Sequence, residues 1–187
     1  DSLSVLSFAE TIAPFEREIS IIKVRALAIS KKFAEAQEIV EDLSVGATRS
    51  ESADLLIAET SIYEHMKDYN AMYNVLAKAV MLDSNNEEAM ERVWISAELS
   101  RRYDDSVELH KTIIERDPYN FQAWYNLGHG YNCIMEYEKA IDALEYSFII
   151  NPEFESGYLD CADTCVQIRD YSKALEIYTE ANSRFGP

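Results

Sequence analysis

Four pairs of side chains stand at spacings that could do chemistry. Cys161 and Cys165 lie four residues apart, and His129 and Cys133 hold the same spacing earlier in the chain. On a helix that spacing puts both donors on one face, half of the four-ligand set a structural zinc needs. Asp160 with Asp163, and Glu88 with Glu91, pair carboxylates three apart. General acid–base chemistry would need one member of such a pair buried, with its pKa raised. Each pair also has a plainer reading. Free cysteine packs as a small hydrophobe, and two cysteines on one helical face cannot join without strain. Carboxylates on an open face stay solvated. Gly128-His129-Gly130 begins like a dinucleotide fingerprint but has no third glycine and no strand before it. Gly130 fits either a close approach of another backbone or a tolerated surface position. His65 and His110 read as isolated, and no Ser/His/Asp or Cys/His constellation is recognisable. The expectation is a protein that is not an enzyme, with no catalytic residue, no metal ligand and no cofactor.

The elements that must position these residues follow from a repeat. Phe33, Tyr69, Tyr103, Tyr137 and Tyr171 are spaced 36, 34, 34 and 34 apart. Three residues after each stand Ala36, Met72, Ser106, Ala140 and Ala174, and fifteen after Tyr103 and Tyr137 stand Pro118 and Pro152. A period near 34 marks a stacked helix–turn–helix array. In the clearest copy Trp124, Leu127, Gly128 and Tyr131 line one helical face, and Tyr137, Ala140, Ile141, Leu144 and Phe148 line another. Asp117-Pro118 and Asn151-Pro152 separate copies, because the residue before proline is pushed out of the helical region. The frame predicts repeats over 17–52, 53–86, 87–120, 121–154 and 155–187. The first copy is lengthened by the polar stretch 44–52. Residues 1–16, with Leu6 and Ala9 at second-helix positions, are expected to be the last helix of a truncated upstream repeat, and the whole is expected to be a fragment of a longer array.

Charge narrows the partners. The chain carries a net charge of −17 over 187 residues. Residues 1–50 hold six Lys/Arg against eight Asp/Glu, and residues 51–187 hold eleven against twenty-six. That field disfavours a phosphate backbone, so no nucleic acid is expected, and it weighs against anionic membrane surfaces. A basic partner fits it, as does a solvated acidic surface that keeps the protein soluble. No apolar run approaches 18 residues, so no membrane insertion is expected. Three cysteines without scaffold spacing, and no signal peptide, make the cytoplasm the expected compartment.

With W-x2-L-G-x2-Y at Trp124, Leu127, Gly128 and Tyr131, and the aromatic–small–proline periodicity around it, the chain resembles the tetratricopeptide repeat (TPR) family over its whole length. The match is tightest in the copies at 121 and 155, good at 53, looser at 87, where Trp94 and Ser106 replace small residues, and loosest at 17. The resemblance implies an all-α superhelical solenoid of about five helix pairs plus a partial N-terminal helix. Its first helices would line a concave groove for a peptide or an extended partner segment. Carried over by position, the groove would hold Ile21, Ile22 and Arg25, then Ile57, Ser61 and Glu64, then Glu88, Glu91, Arg92 and Ile95. Tyr125, Asn126, His129 and Asn132 follow, then Leu159, Asp160, Asp163 and Gln167. Asn126 holds a position where the family often places an amide that bonds a ligand backbone, a task its donor and acceptor suit. The carboxylate clamp of chaperone-binding relatives is not reproduced. Its positions hold Glu91, Ile95, Asn126, Ser156 and Asp160, acids where bases are needed.

Three functions remain open on these grounds. The first is a scaffold that grips a protein or peptide in the groove. The second is a spacer that joins parts of an assembly and self-associates through exposed array ends. The third is a metal-dependent switch or enzyme built on the Cys/His cluster.

Overall fold

Every aromatic marker of the repeat is the first residue of a helix. The computed structural model describes residues 17–186, and among them it forms ten α-helices and no strands. They are α1 (Arg17–Ile29), α2 (Phe33–Ser44), α3 (Arg49–Met66), α4 (Tyr69–Leu82), α5 (Glu87–Ser100), α6 (Tyr103–Arg116), α7 (Phe121–Cys133), α8 (Tyr137–Ile150), α9 (Glu155–Gln167) and α10 (Tyr171–Phe185). Odd-numbered helices are the first of each pair. Phe33, Tyr69, Tyr103, Tyr137 and Tyr171 open the second. The residues three places on, Ala36, Met72, Ser106, Ala140 and Ala174, are all buried, since the helix turns that position onto its partner. The expected helix over residues 1–16 lies outside the described residues.

The two kinds of turn are also built alike. Within a pair, the chain reverses through a left-handed residue two places before the aromatic: Lys31, Lys67, Arg101, Met135 and Arg169. Behind each, the next amide reaches five residues back, as from Asp68 to the Tyr63 carbonyl and from Glu136 to the Tyr131 carbonyl, both at 2.9 Å. This is the hydrogen-bond pattern that closes a helix end. None of the five is glycine, so each carries the left-handed penalty of about 1–2 kcal/mol for the sake of the corner. Between pairs, Asp83, Asp117 and Asn151 each accept the amide two residues on, and Asn86 and Asn120 cap the helices that follow.

One boundary departs from the frame. The polar stretch expected to lengthen the first copy is partly helical, because α3 begins at Arg49. Thr48 and Glu51 form a reciprocal capping box there: the Thr48 hydroxyl accepts the Glu51 amide and Glu51 accepts the Thr48 amide. The extra residues thus add a turn to the helix.

The chain divides into two compact units, Asp1–Ser96 and Ala97–Pro187, with α5 contributing residues to both. In the first unit, α1 packs on α2 and α3, and α3 packs on α4. Its core at this level is Val24, Leu27, Ala28, Ala36, Val40, Leu55, Ala58 and Ile62. In the second, α6, α7, α8, α9 and α10 pack successively. Cys161 and Cys165 sit in its core beside Ile141, Leu144, Phe148 and Tyr158, and the Tyr158 ring stacks on Phe148 at 4.0 Å. Two glycines are explained by contact. A Cβ on Gly128 would stand 2.6 Å from Leu144 Cγ, and one on Gly130 would stand 2.9 Å from Val107 Cγ2. Gly130 is therefore a close-approach position that admits α6, and the surface reading of it is corrected.

Candidate binding surface

In the second unit, residues from α7 and α9 meet around one carboxylate. The Tyr125 hydroxyl donates to Asp160 Oδ2 at 2.6 Å, and His129 Nε2 lies 3.1 Å from the same oxygen. Tyr125 and His129 are four apart on α7, so their rings meet edge to face at 4.5 Å. Phe154, just before α9, closes the other side of Tyr125 at 4.8 Å. Burial pushes the Asp160 carboxyl up, but the adjacent His129 ring and the Tyr125 hydroxyl outweigh it and hold the group below its ordinary value. Burial and the same carboxylate push the Tyr125 hydroxyl the other way, above its ordinary range. The pair therefore stays as phenol and carboxylate at neutral pH. It is arranged to hold a charge in place and not to pass a proton.

The neighbouring polar residues form a chain. Asn132 Nδ2 donates to Thr164 Oγ1 at 2.9 Å, and that hydroxyl donates to the Asp160 carbonyl at 2.7 Å. Asp163 is exposed and accepts the Tyr178 hydroxyl of α10. Tyr125, His129, Asn132, Asp160 and Asp163 are thus tied across two first helices and the α10 that backs them.

Asn126 is placed differently. It is 2% exposed, and its Nδ2 donates to His110 Nε2 at 3.2 Å. His110 Nδ1 faces the Ser106 carbonyl at 2.7 Å. A carbonyl only accepts, so Nδ1 carries the proton and Nε2 is left to take the Asn126 amide. The amide read as a ligand contact is a buried partner of α6, and His110, read as isolated, is its counterpart. Complete burial drives the His110 pKa down to about 4, with the Ser106 carbonyl opposing. No local spacing could reveal this pair, because the two residues stand sixteen apart on different helices. Phe154, Thr164 and Tyr178 likewise carry no signal in the repeat pattern.

The remaining candidates, Arg92 and Glu91, lie on α5 in the first unit. Glu91 is exposed. Arg92 bridges Glu64 of α3 at 2.8 Å and Glu88 at 3.0 Å, and Arg25 of α1 reaches Glu88 at 3.2 Å. Beside this network lies a cleft lined by Glu18, Ile21, Ile22, Arg25, Asp54, Ile57, Asn86 and Glu88.

The metal-ligand pairs do not converge. Cys161 and Cys165 are fully buried among apolar side chains, while His129 turns to Asp160. Among the described residues no group of three or more His, Cys, Asp or Glu side chains could hold a metal ion. Nor is any helix among them long and apolar enough to cross a membrane.

By fold the chain is similar to solved structures of MamA. It matches "MamA 41-end from Desulfovibrio magneticus RS-1" with TM-score 0.61 at 18% identity, over 88% of this chain and 94% of that one. Another structure of MamA matches with TM-score 0.62 at 19% identity, over 84% and 91%. The shared feature is the tetratricopeptide-type pairing of helices. No family model matches the sequence, and no curated protein is similar to it by sequence.

Proposed function

We propose that this chain is a protein-interaction scaffold without catalytic activity, which holds an extended segment of a partner protein against the first helices of its repeats. The observation that carries the reading is the Asp160 carboxylate. It is held by the Tyr125 hydroxyl beside the His129 ring, partly exposed, and flanked by exposed Leu159 and Asp163. A charge fixed in a half-buried, aromatic-walled setting suits recognition, since it needs no reordering when a partner arrives. The acidic excess of the chain supports a segment bearing Lys or Arg, attracted through contacts that weaken as salt rises.

The test starts from a displayed library of random peptides selected on the protein. Enriched peptides should bind a Tyr125→Ala/Asp160→Ala variant at least tenfold more weakly, which is about 1.4 kcal/mol, with helicity unchanged. Equal binding to both proteins would place the recognition surface elsewhere.

The spacer reading rests on a different observation. A cleft between α9 and α10, lined by Leu159, Tyr178, Ala181 and Phe185 among others, could seat a helix of a neighbouring copy. Concentration-dependent light scattering that Leu159→Glu abolishes, with helicity unchanged, would favour it.

A further inference from the structure

The first-helix surface of the first unit holds a cleft with an occupant already in place. The cleft between α1, α3 and α5 is lined by the aliphatic Ile21, Ile22 and Ile57 and by three carboxylates, Glu18, Asp54 and Glu88, against one guanidinium, Arg25. Ile57 is buried, while Ile22 is 53% exposed and so presents apolar surface in the cleft. An acidic lining among aliphatic side chains matches a segment in which a basic residue stands beside aliphatic ones.

Arg25 reaches this lining from within the molecule. One of its terminal nitrogens lies 3.3 Å and 3.2 Å from the two Glu88 carboxylate oxygens. The contact is weakly held for three reasons. Both side chains are about two-fifths exposed, where an ion pair is screened by water. Glu88 is already paired with Arg92 at 3.0 Å, through an oxygen that Arg25 also reaches. The Arg25 Nε is buried and makes no hydrogen bond, so this pose leaves a donor unused.

We infer that Arg25 is a displaceable latch: it occupies the acidic lining of the cleft as a stand-in for a Lys or Arg of the partner, whose flanking aliphatic side chains would cover Ile21, Ile22 and Ile57. This rests on the scaffold reading above, and names the partner chemistry and the regulation of the first-helix surface in the first unit. The sign of its consequence is unusual. A cleft arginine that merely belonged to the binding surface would weaken binding when removed, whereas a latch that competes with the partner strengthens it.

The experiment uses the full chain with isotope-labelled isoleucine methyls and backbone amides. The probe is an acetylated, amidated octapeptide with Ile-Lys-Ile at its centre. Its Ile-Glu-Ile and Ser-Lys-Ser counterparts serve as controls. The Ile-Lys-Ile peptide is expected to shift the Ile21, Ile22 and Ile57 methyl resonances, and the two controls are not. Arg25→Gln is expected to tighten the titrated Kd by about threefold, the worth of an exposed ion pair. Glu88→Gln should weaken it by a similar factor, and the far-ultraviolet helical signal should stay the same in both. The latch is overturned if Arg25→Gln weakens binding or leaves it unchanged. The cleft itself is overturned if the isoleucine methyls do not move, or move equally with Ile-Glu-Ile. Shifts at the Tyr125 and Asp160 amides report separately on the second unit, so failure in the cleft is distinguishable from failure of the scaffold reading.

Discussion

The first-helix residues of the two units solve the same placement problem with opposite chemistry. In the first unit they are long and charged. Arg25, Arg92, Glu64 and Glu88 link α1, α3 and α5 through ion pairs whose carboxylates and Arg25 lie open to water, while the Arg92 side chain is 17% exposed. In the second they are short or aromatic and sink inward. Asn126 goes fully inside to His110, and Asp160 is half enclosed by Tyr125, His129 and Phe154. What a polar group contributes depends on where it sits. An ion pair in water is worth little, because solvent competes for both charges. A buried neutral hydrogen bond matters mostly through what its loss leaves behind, an unpaired group in a low-dielectric interior.

Acid separates the two units most strongly. His110 is neutral when folded, with a pKa lowered from 6.5 to about 4. Between those values the unfolded chain binds the extra proton and the folded chain does not, so stability falls as pH drops from about 6.5 to 4 and levels off below. Its share is roughly 3 kcal/mol. Asp160, held low by the His129 ring and the Tyr125 hydroxyl, adds a loss of the same sign at lower pH. Urea unfolding followed at Trp124 in a Trp94→Phe background reads the second unit alone. Curves that coincide at pH 7 and pH 4 would show that His110 is reachable by solvent.

The next effect comes from Asn126→Ala. It strips His110 Nε2 of its donor and should destabilise the same transition by about 1–3 kcal/mol at pH 7. It should also narrow the acid window, since an unpaired imidazole nitrogen accepts a proton more readily. A variant as stable as the parent would remove the case for a buried polar pair. The smallest effect belongs to the first unit. Arg92→Ala, followed at Trp94 in a Trp124→Phe background, should cost about 1 kcal/mol or less. That cost should vanish in molar salt. A larger, salt-independent loss would mean that the guanidinium packs more than it pairs.

How far the sequence discloses this can be traced residue by residue. Phe33, Tyr69, Tyr103, Tyr137 and Tyr171 mark helix starts, and Ala36, Ala140 and Ala174 mark burial, because both properties follow from position within one helix pair. Tyr125, His129 and Asp160 fall on adjacent first helices in the same frame, but nothing in the frame pairs them, since the meeting depends on how the two helices pack. The reach of Asn126 to His110 was not legible, since it depends on how deeply one helix face sinks against another. The role of Gly130 needed Val107, a residue from a different helix, before its missing side chain had a meaning. The extra turn at Arg49–Ser52 was hidden because capping chemistry there competes with a composition typical of loops.

The cysteines add one more consequence. Cys161 and Cys165 lie wholly inside the second unit, and burial raises both thiols, so neither offers a nucleophile while α9 stays docked. An alkylating reagent can therefore reach them only during moments when that helix detaches. The rate at which they become modified is an intrinsic clock for local opening, and quenching it with a bound peptide would time the grip of a partner without any attached label.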